Sequence, residues 1–312
     1  MRIVETSPSC VSSRSIGIST RTVAVSRLFD YLELTKPRIA VLALISVAVG
    51  YSLAASSSWQ IVPLLHALFG VGLVAASSSA LNQLLERSVD SRMIRTANRP
   101  LPAGRLLPGS VLCFGLTTGI AGCLYLAIFV NLATSLAALL TLLLYVVVYT
   151  PLKRVTSLCT AVGAIPGALP PVLGWLAATG EINIGAFILF AILYLWQFPH
   201  FVAIAWVYRK EYDQAGLRML PSKGESRLAA GAIAVTYALV LLPTSLLPGQ
   251  FSLAGDAYTL TAIILGVGYL ICAIRFLLSG SLESARGVIW ASLMYLPLLF
   301  LSLLWDHFQL LT

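Results

Sequence analysis

Between two long apolar runs, residues 82–105 (NQLLERSVDSRMIRTANRPLPAGR) gather a dense set of ionisable side chains. On a helix Asn82, Glu86 and Asp90 stand at i, i+4 and i+8, so their oxygens line one face. Five arginines (Arg87, Arg92, Arg95, Arg99, Arg105) accompany the two acids, and Arg99-Pro100 followed by Pro102 and Gly104 predicts that the helix ends in a turn. Acids and bases mixed in this way suit a hard divalent cation that carries a polyphosphate. Taken alone, they equally suit a solvated helix whose acids pair with Arg87, Arg92 or Arg95. A second charged stretch, 209–227 (RKEYDQAGLRMLPSKGESR), favours the first reading, because Glu211 and Asp213 facing the first cluster would complete a carboxylate-lined pocket.

Bases to hold a phosphate are available in Lys153 and Arg154, in Arg209 and Lys210 just ahead of Glu211, and in Arg38. Each also serves as a topology signal. Tyr149 lies four residues before Lys153, so a continued helix puts the two on one face. A diphosphate held by metal and such bases becomes a better leaving group, because charge developing on its oxygens is stabilised. His200 stands in Trp196-Gln197-Phe198-Pro199-His200-Phe201. A lone helix histidine is more often packed than a ligand, yet Gln197, Pro199 and His200 together are unusual in an apolar run, and Pro199 frees backbone carbonyls. The small residues and prolines between Gly163 and Gly174 suit close helix packing or a cavity wall.

The elements that must position these residues are membrane helices. The chain has 312 residues, 58% of them hydrophobic and only 10% charged, with a mean hydropathy of +0.90, a composition that excludes a water-soluble globule. Nine candidate spans fall at about 38–57, 62–81, 110–130, 132–150, 157–178, 184–207, 228–248, 258–278 and 286–305. Threaded through nine spans, all 20 Lys and Arg residues fall on one side, whereas Glu181, Asp256 and Asp306 fall on the other. The positive-inside rule puts the basic side and the N-terminus in the cytoplasm. The formal charge of +8 is therefore topology, not nucleic-acid binding. Residues 1–27 read as a flexible cytoplasmic tail, although a mitochondrial transit peptide has a similar composition. Residues 26–36 suit a short helix at the membrane surface, and 28–312 form a single polytopic domain. Cys10, Cys113, Cys123, Cys159 and Cys272 show neither zinc nor disulfide spacing.

From Thr35-Lys36-Pro37-Arg38 to about Pro221 the sequence resembles the UbiA superfamily of intramembrane prenyltransferases, and within it the branch that farnesylates haem. The likeness rests on N-x-x-x-E-R-x-x-D-x-x-M-x-R-T-x-x-R-P-L-P-x-G at 82–104, Y-x-x-x-K-R at 149–154, P-G-A-x-P-P-x-x-G-W at 166–175, W-Q-x-P-H-F at 196–201 and E-Y-x-x-A-G-x-x-M-L-P at 211–221. It implies an all-α bundle of nine transmembrane helices around a central cavity, with Mg2+ as cofactor. Farnesyl diphosphate and haem B would be substrates, the lipid bilayer the surroundings, and haem A synthase a downstream partner. Carried onto this chain, Asn82, Glu86, Asp90 and Glu211 are expected to hold the metal and, with Lys153, to do the catalytic work. Arg38, Arg87, Arg95, Arg99, Tyr149, Arg154, Arg209 and Lys210 are expected to bind substrate, and His200 to contact haem through its iron or a propionate. Two departures stand out: Glu86 where the superfamily more often has Asp, and Lys210 and Tyr212 where other members often have acids. The resemblance places the chain in the bacterial cytoplasmic membrane or, alternatively, the mitochondrial inner membrane. A prenyltransferase for a quinone or chlorophyll precursor, or a transporter lined by broken helices, is the other reading open at this point.

Overall fold

The computed structural model describes residues 20–55, 59–217 and 227–311. The first 19 residues of the expected tail, and the Met219-Leu220-Pro221 end of the second charged motif, lie outside them. Fourteen α-helices follow in order: α1 (Thr20–Leu34), α2 (Pro37–Ala55), α3 (Ile61–Asp90), α4 (Pro108–Phe129), α5 (Leu132–Leu143), α6 (Thr150–Leu152), α7 (Cys159–Ala168), α8 (Pro170–Thr179), α9 (Ile184–Val207), α10 (Arg209–Ala215), α11 (Arg227–Thr244), α12 (Leu247–Gln250), α13 (Asp256–Ser279) and α14 (Leu282–Leu311). Among the described residues nine helical stretches are long and apolar enough to cross a membrane, as expected. The chain is an all-α, multi-pass membrane protein.

Two spans depart instructively from their predicted bounds. α3 runs on from the second span through Asp90, 30 residues in all, so the apolar span and the acidic face are one rigid rod. The fourth span, Leu132–Leu152, joins α5 to α6 through a π-helical turn at Leu144–Tyr149. There the Thr150 hydroxyl donates to the Tyr145 carbonyl at 2.8 Å. Such turns widen a helix locally and are frequent at functional sites.

Packing follows the membrane pattern, in which small residues meet inside and large aliphatics face lipid. On α4, Leu112, Leu116, Ile120, Leu124 and Ile128 recur every fourth residue and are all exposed. The opposite face presents Gly115, whose carbonyl accepts from Ser77 at 2.6 Å. α2 and α8 touch backbone to backbone. A Cβ on Gly174 would lie 1.9 Å from the Val47 carbonyl oxygen, and one on Gly50 would lie 1.9 Å from that of Pro171. The small residues of the fifth span therefore serve packing. Gly174→Val is expected to cost about 3 kcal/mol, the upper end of the overpacking range, and to collapse the yield of monodisperse protein in detergent. Wild-type yield and melting temperature would show that α8 is free to move away.

The basic loops meet at one end of the bundle. Lys153 reaches Glu86, the Arg95 guanidinium lies over the Tyr208 ring, and the Trp206 indole donates to the Gly280 carbonyl. At the other end Asp306 accepts from the Gly255 and Tyr258 amides at 2.7 and 2.9 Å, which caps α13. At the basic end α1 is tied to the loop after α3 by Arg105, which pairs with Asp30 and with Glu33.

Candidate active site

α3 presents Asn82, Glu86 and Asp90 to three different partners. The Lys36 ammonium donates to Asn82 Oδ1 at 3.0 Å, Lys153 Nζ meets Glu86 Oε1 at 2.7 Å, and Arg99 Nη1 meets Asp90 Oδ2 at 2.7 Å. Asn82, Glu86 and Asp90 are all buried. The acids thus pair neither with Arg87 nor with Arg92 or Arg95, and for a geometric reason. Those arginines leave α3 or its trailing turn on exposed positions, whereas Lys153 and Arg99 are delivered onto the acidic face by the fourth span and by the Pro100 turn.

Each partner is held in place. The Asn82 amide donates to Thr150 Oγ1 at 3.0 Å, fastening α3 to the π-helical turn. Lys153 also lies 4.4 Å from the centre of the Tyr149 ring, and that ring fills the space a side chain on Gly163 would take. The expected shared face of Tyr149 and Lys153 is real. Burial works against the Lys153 charge, but Tyr149 and the Glu86 carboxylate outweigh it and hold the ammonium above its ordinary range. The Thr96 hydroxyl donates to the Asp90 carbonyl at 2.9 Å and folds the turn that returns Arg99.

Lys36 is the residue that sequence reasoning passed over. It has a left-handed backbone, φ +50°, immediately before Pro37, a conformation costly for a residue with a Cβ. Burial, opposed by the Tyr145 phenol and reinforced by the Arg99 and Lys153 charges, holds its ammonium below the ordinary value. A strained, half-buried cation beside Asn82 is a candidate site component. The only signal in the sequence was the Thr35-Lys36-Pro37 break between α1 and α2. Arg38 is exposed on the first turn of α2.

The second charged segment packs beside the C-terminal end of α3. α10 docks through Ala215 against Val89 and Met93, while Tyr212 hydrogen-bonds Arg95, and burial pushes the Tyr212 phenol up. Glu211 follows Tyr208 by three residues, and its Oε2 is buried with no hydrogen-bond partner among the described residues. Asp213 and Lys210 are exposed. Arg209 turns back onto the end of α9, donating to the Trp206 carbonyl at 2.6 Å. Arg154 donates to the Leu85 carbonyl at 3.1 Å and Arg87 to that of Leu84 at 3.3 Å, so neither is among the groups on the acidic face. His200 sits farther along α9, with Nδ1 2.6 Å from Ser292 Oγ.

Among the described residues no three His, Cys, Asp or Glu side chains form a metal cluster, and Glu86 and Asp90 are each engaged by a base. The donor chemistry nonetheless suits a hard cation: one amide oxygen, two carboxylates on α3 and, at Glu211, a buried carboxylate oxygen without a partner among the described residues.

The sequence profile of the UbiA prenyltransferase family matches residues 43–304. A protoheme IX farnesyltransferase from Solibacter usitatus is 44% identical over 89% of this chain and 98% of its own length. One from Koribacter versatilis is 41% identical over 92% and 96%. Among solved structures, digeranylgeranylglyceryl phosphate synthase superposes with a TM-score of 0.77 at 18% identity, covering 91% of this chain and 99% of its own. A UbiA homologue from Archaeoglobus fulgidus bound to GPP and Mg2+ gives 0.63 at 17%, covering 88% and 99%. The structural likenesses establish the fold, and the family profile spans the motifs between residues 82 and 221. This chain belongs to the UbiA prenyltransferase family.

Proposed function

We propose that the chain transfers the farnesyl group of farnesyl diphosphate to a vinyl group of haem B, with addition of water, giving haem O. The observation that carries the reading is the acidic face of α3, on which Asn82, Glu86 and Asp90 are each matched to a base from a different segment. Together with Glu211, these residues would hold Mg2+, which when bound neutralises a diphosphate and stabilises charge on its departing oxygen. Lys36, released from the Asn82 amide oxygen, and Lys153 and Arg99, released from the Glu86 and Asp90 carboxylates, become the partners of the phosphate oxygens. Tyr149 packs against Lys153 and aims it.

The bond from the farnesyl C1 to the diphosphate oxygen breaks, and its electron pair leaves with the diphosphate. The terminal vinyl carbon of the haem then supplies the pair for the new C–C bond. Water captures the cation left on the adjacent carbon and releases a proton, which gives a hydroxyethylfarnesyl side chain. None of these steps asks for a protein nucleophile. The chain's contribution is to bind, orient and exclude bulk water. The nine spans lie in the bacterial cytoplasmic membrane, in keeping with relatives from Solibacter usitatus and Koribacter versatilis, and the basic end faces the cytoplasm.

The test incubates the full chain in lipid nanodiscs with haem B, farnesyl diphosphate and Mg2+, and follows product by mass spectrometry. Haem O is expected. Folded protein that makes none overturns the proposal. Prenylation of a quinone precursor in its place would move the chain to another branch of the family, and substrate counterflow without product would make it a transporter.

A further inference from the structure

His200 is held by a network that fixes the position of its proton. Ser292 is fully buried, and its Oγ lies 2.6 Å from the Ile289 carbonyl oxygen and 2.6 Å from His200 Nδ1. Contacts this short need a proton between the two atoms. A carbonyl carries none, so the single hydroxyl proton of Ser292 goes to Ile289. The proton between Ser292 and His200 must then sit on Nδ1. The nearby Tyr269 hydroxyl has none to spare, because it donates to the Trp196 carbonyl at 3.2 Å.

A neutral imidazole protonated at Nδ1 has its lone pair at Nε2. That nitrogen makes no hydrogen bond among the described residues, and it is not one of their buried unpaired atoms. The ring plane is fixed as well. It stacks on Trp196, with centroids 5.3 Å apart and an interplanar angle of 15°, and the Trp196 indole donates to the Ser292 carbonyl at 3.0 Å. A donated N–H on one ring nitrogen and a free lone pair on the other is the arrangement by which proteins prepare histidine for iron. His200 lies eight residues before Tyr208, about 12 Å deeper along α9 at 1.5 Å per residue. An apolar porphyrin at that depth sits within the membrane, below the charged end.

We infer that Ser292 is a positioning residue that holds His200 in the tautomer protonated at Nδ1, so that Nε2 ligates the iron of the substrate haem. The inference rests on the proposed haem substrate. Its test is spectroscopic: the full chain in nanodiscs is titrated with haem B without farnesyl diphosphate, and the Soret band is compared with that of haem in empty nanodiscs. Wild type is expected to give a saturable histidine-ligated spectrum, and His200→Ala to lose it. Ser292→Ala is expected to keep histidine ligation but bind haem about tenfold more weakly, and Ser292→Thr, which keeps the hydroxyl, to restore the affinity. Should Ser292→Ala not fold, Ser292→Cys keeps the size, accepts poorly and reads the same difference. An unchanged affinity in Ser292→Ala or Ser292→Cys, or an unchanged spectrum in His200→Ala, overturns the inference. If that unchanged His200→Ala still makes haem O, the farnesyl-transfer proposal stands without it. A wild-type chain that neither binds haem nor makes haem O removes the reading beneath both.

Discussion

Asp90→Asn is expected to lower turnover about a thousandfold while leaving the amount of folded protein unchanged. The substitution keeps the side-chain shape and leaves an amide oxygen for Arg99, now 2.7 Å from Asp90 Oδ2. The bond from Thr96 that folds the following turn goes to the Asp90 backbone carbonyl and is untouched. Arg99 is partly exposed, so loss of its counter-charge is screened by water and costs little stability. What disappears is one formal negative charge from a buried oxygen set. A preorganised electrostatic contact to a reacting group is worth about 10²–10³ in rate, and a ligand to the cation has at least that leverage. The measurement is the initial rate at equal protein, over a titration of Mg2+. A shifted Mg2+ dependence with a collapsed maximum is expected. Retention of more than about a tenth of the rate would remove Asp90 from the metal set.

The acidic half of this site was legible because it is local. Asn82, Glu86 and Asp90 lie within three helical turns, and a period of 3.6 places them on one face wherever the helix goes. Span number was equally legible, since it depends on length, apolarity and the one-sided distribution of Lys and Arg. The basic half was not. Whether Arg87 or Arg99 meets Asp90 depends on how a turn returns, and whether Arg38 or Lys36 meets Asn82 depends on one backbone angle before a proline. Lys153 stands out in the sequence as a base four residues after Tyr149, but its pairing with Glu86 is set by the crossing of α3 and the fourth span. No sequence periodicity encodes that crossing. Gly50 and Gly174 read as small residues of unspecified use until α2 and α8 were seen in backbone contact. Ser292 carried no signal at all. It is one serine in an apolar helix, 92 residues from the histidine it orients.

Glu211→Gln is expected to make the protein at the same time more stable and nearly inactive. Glu211 Oε2 is buried and accepts no hydrogen bond among the described residues. An unsatisfied buried acceptor costs about 1–3 kcal/mol, and more when it carries charge. Its neighbourhood offers packing without compensation, because α10 is fixed through Ala215 on Val89 and Met93, and Tyr212 is committed to Arg95. An amide of the same shape removes the charge and keeps the packing. The melting temperature in detergent without substrate should rise by about 1.5 °C for each 1 kcal/mol gained, the shift expected for a chain of this size, while kcat/KM falls about a hundredfold. Opposite signs are the diagnostic result, for they mark a group kept at a cost to the fold because the ligand needs it. A lower melting temperature with lower activity would make Glu211 structural, and wild-type activity would remove it from the site. Addition of Mg2+ with a non-hydrolysable farnesyl diphosphate analogue should then stabilise the wild type more than Glu211→Gln, since a ligand stabilises only the state it binds and the wild type alone presents the free carboxylate oxygen.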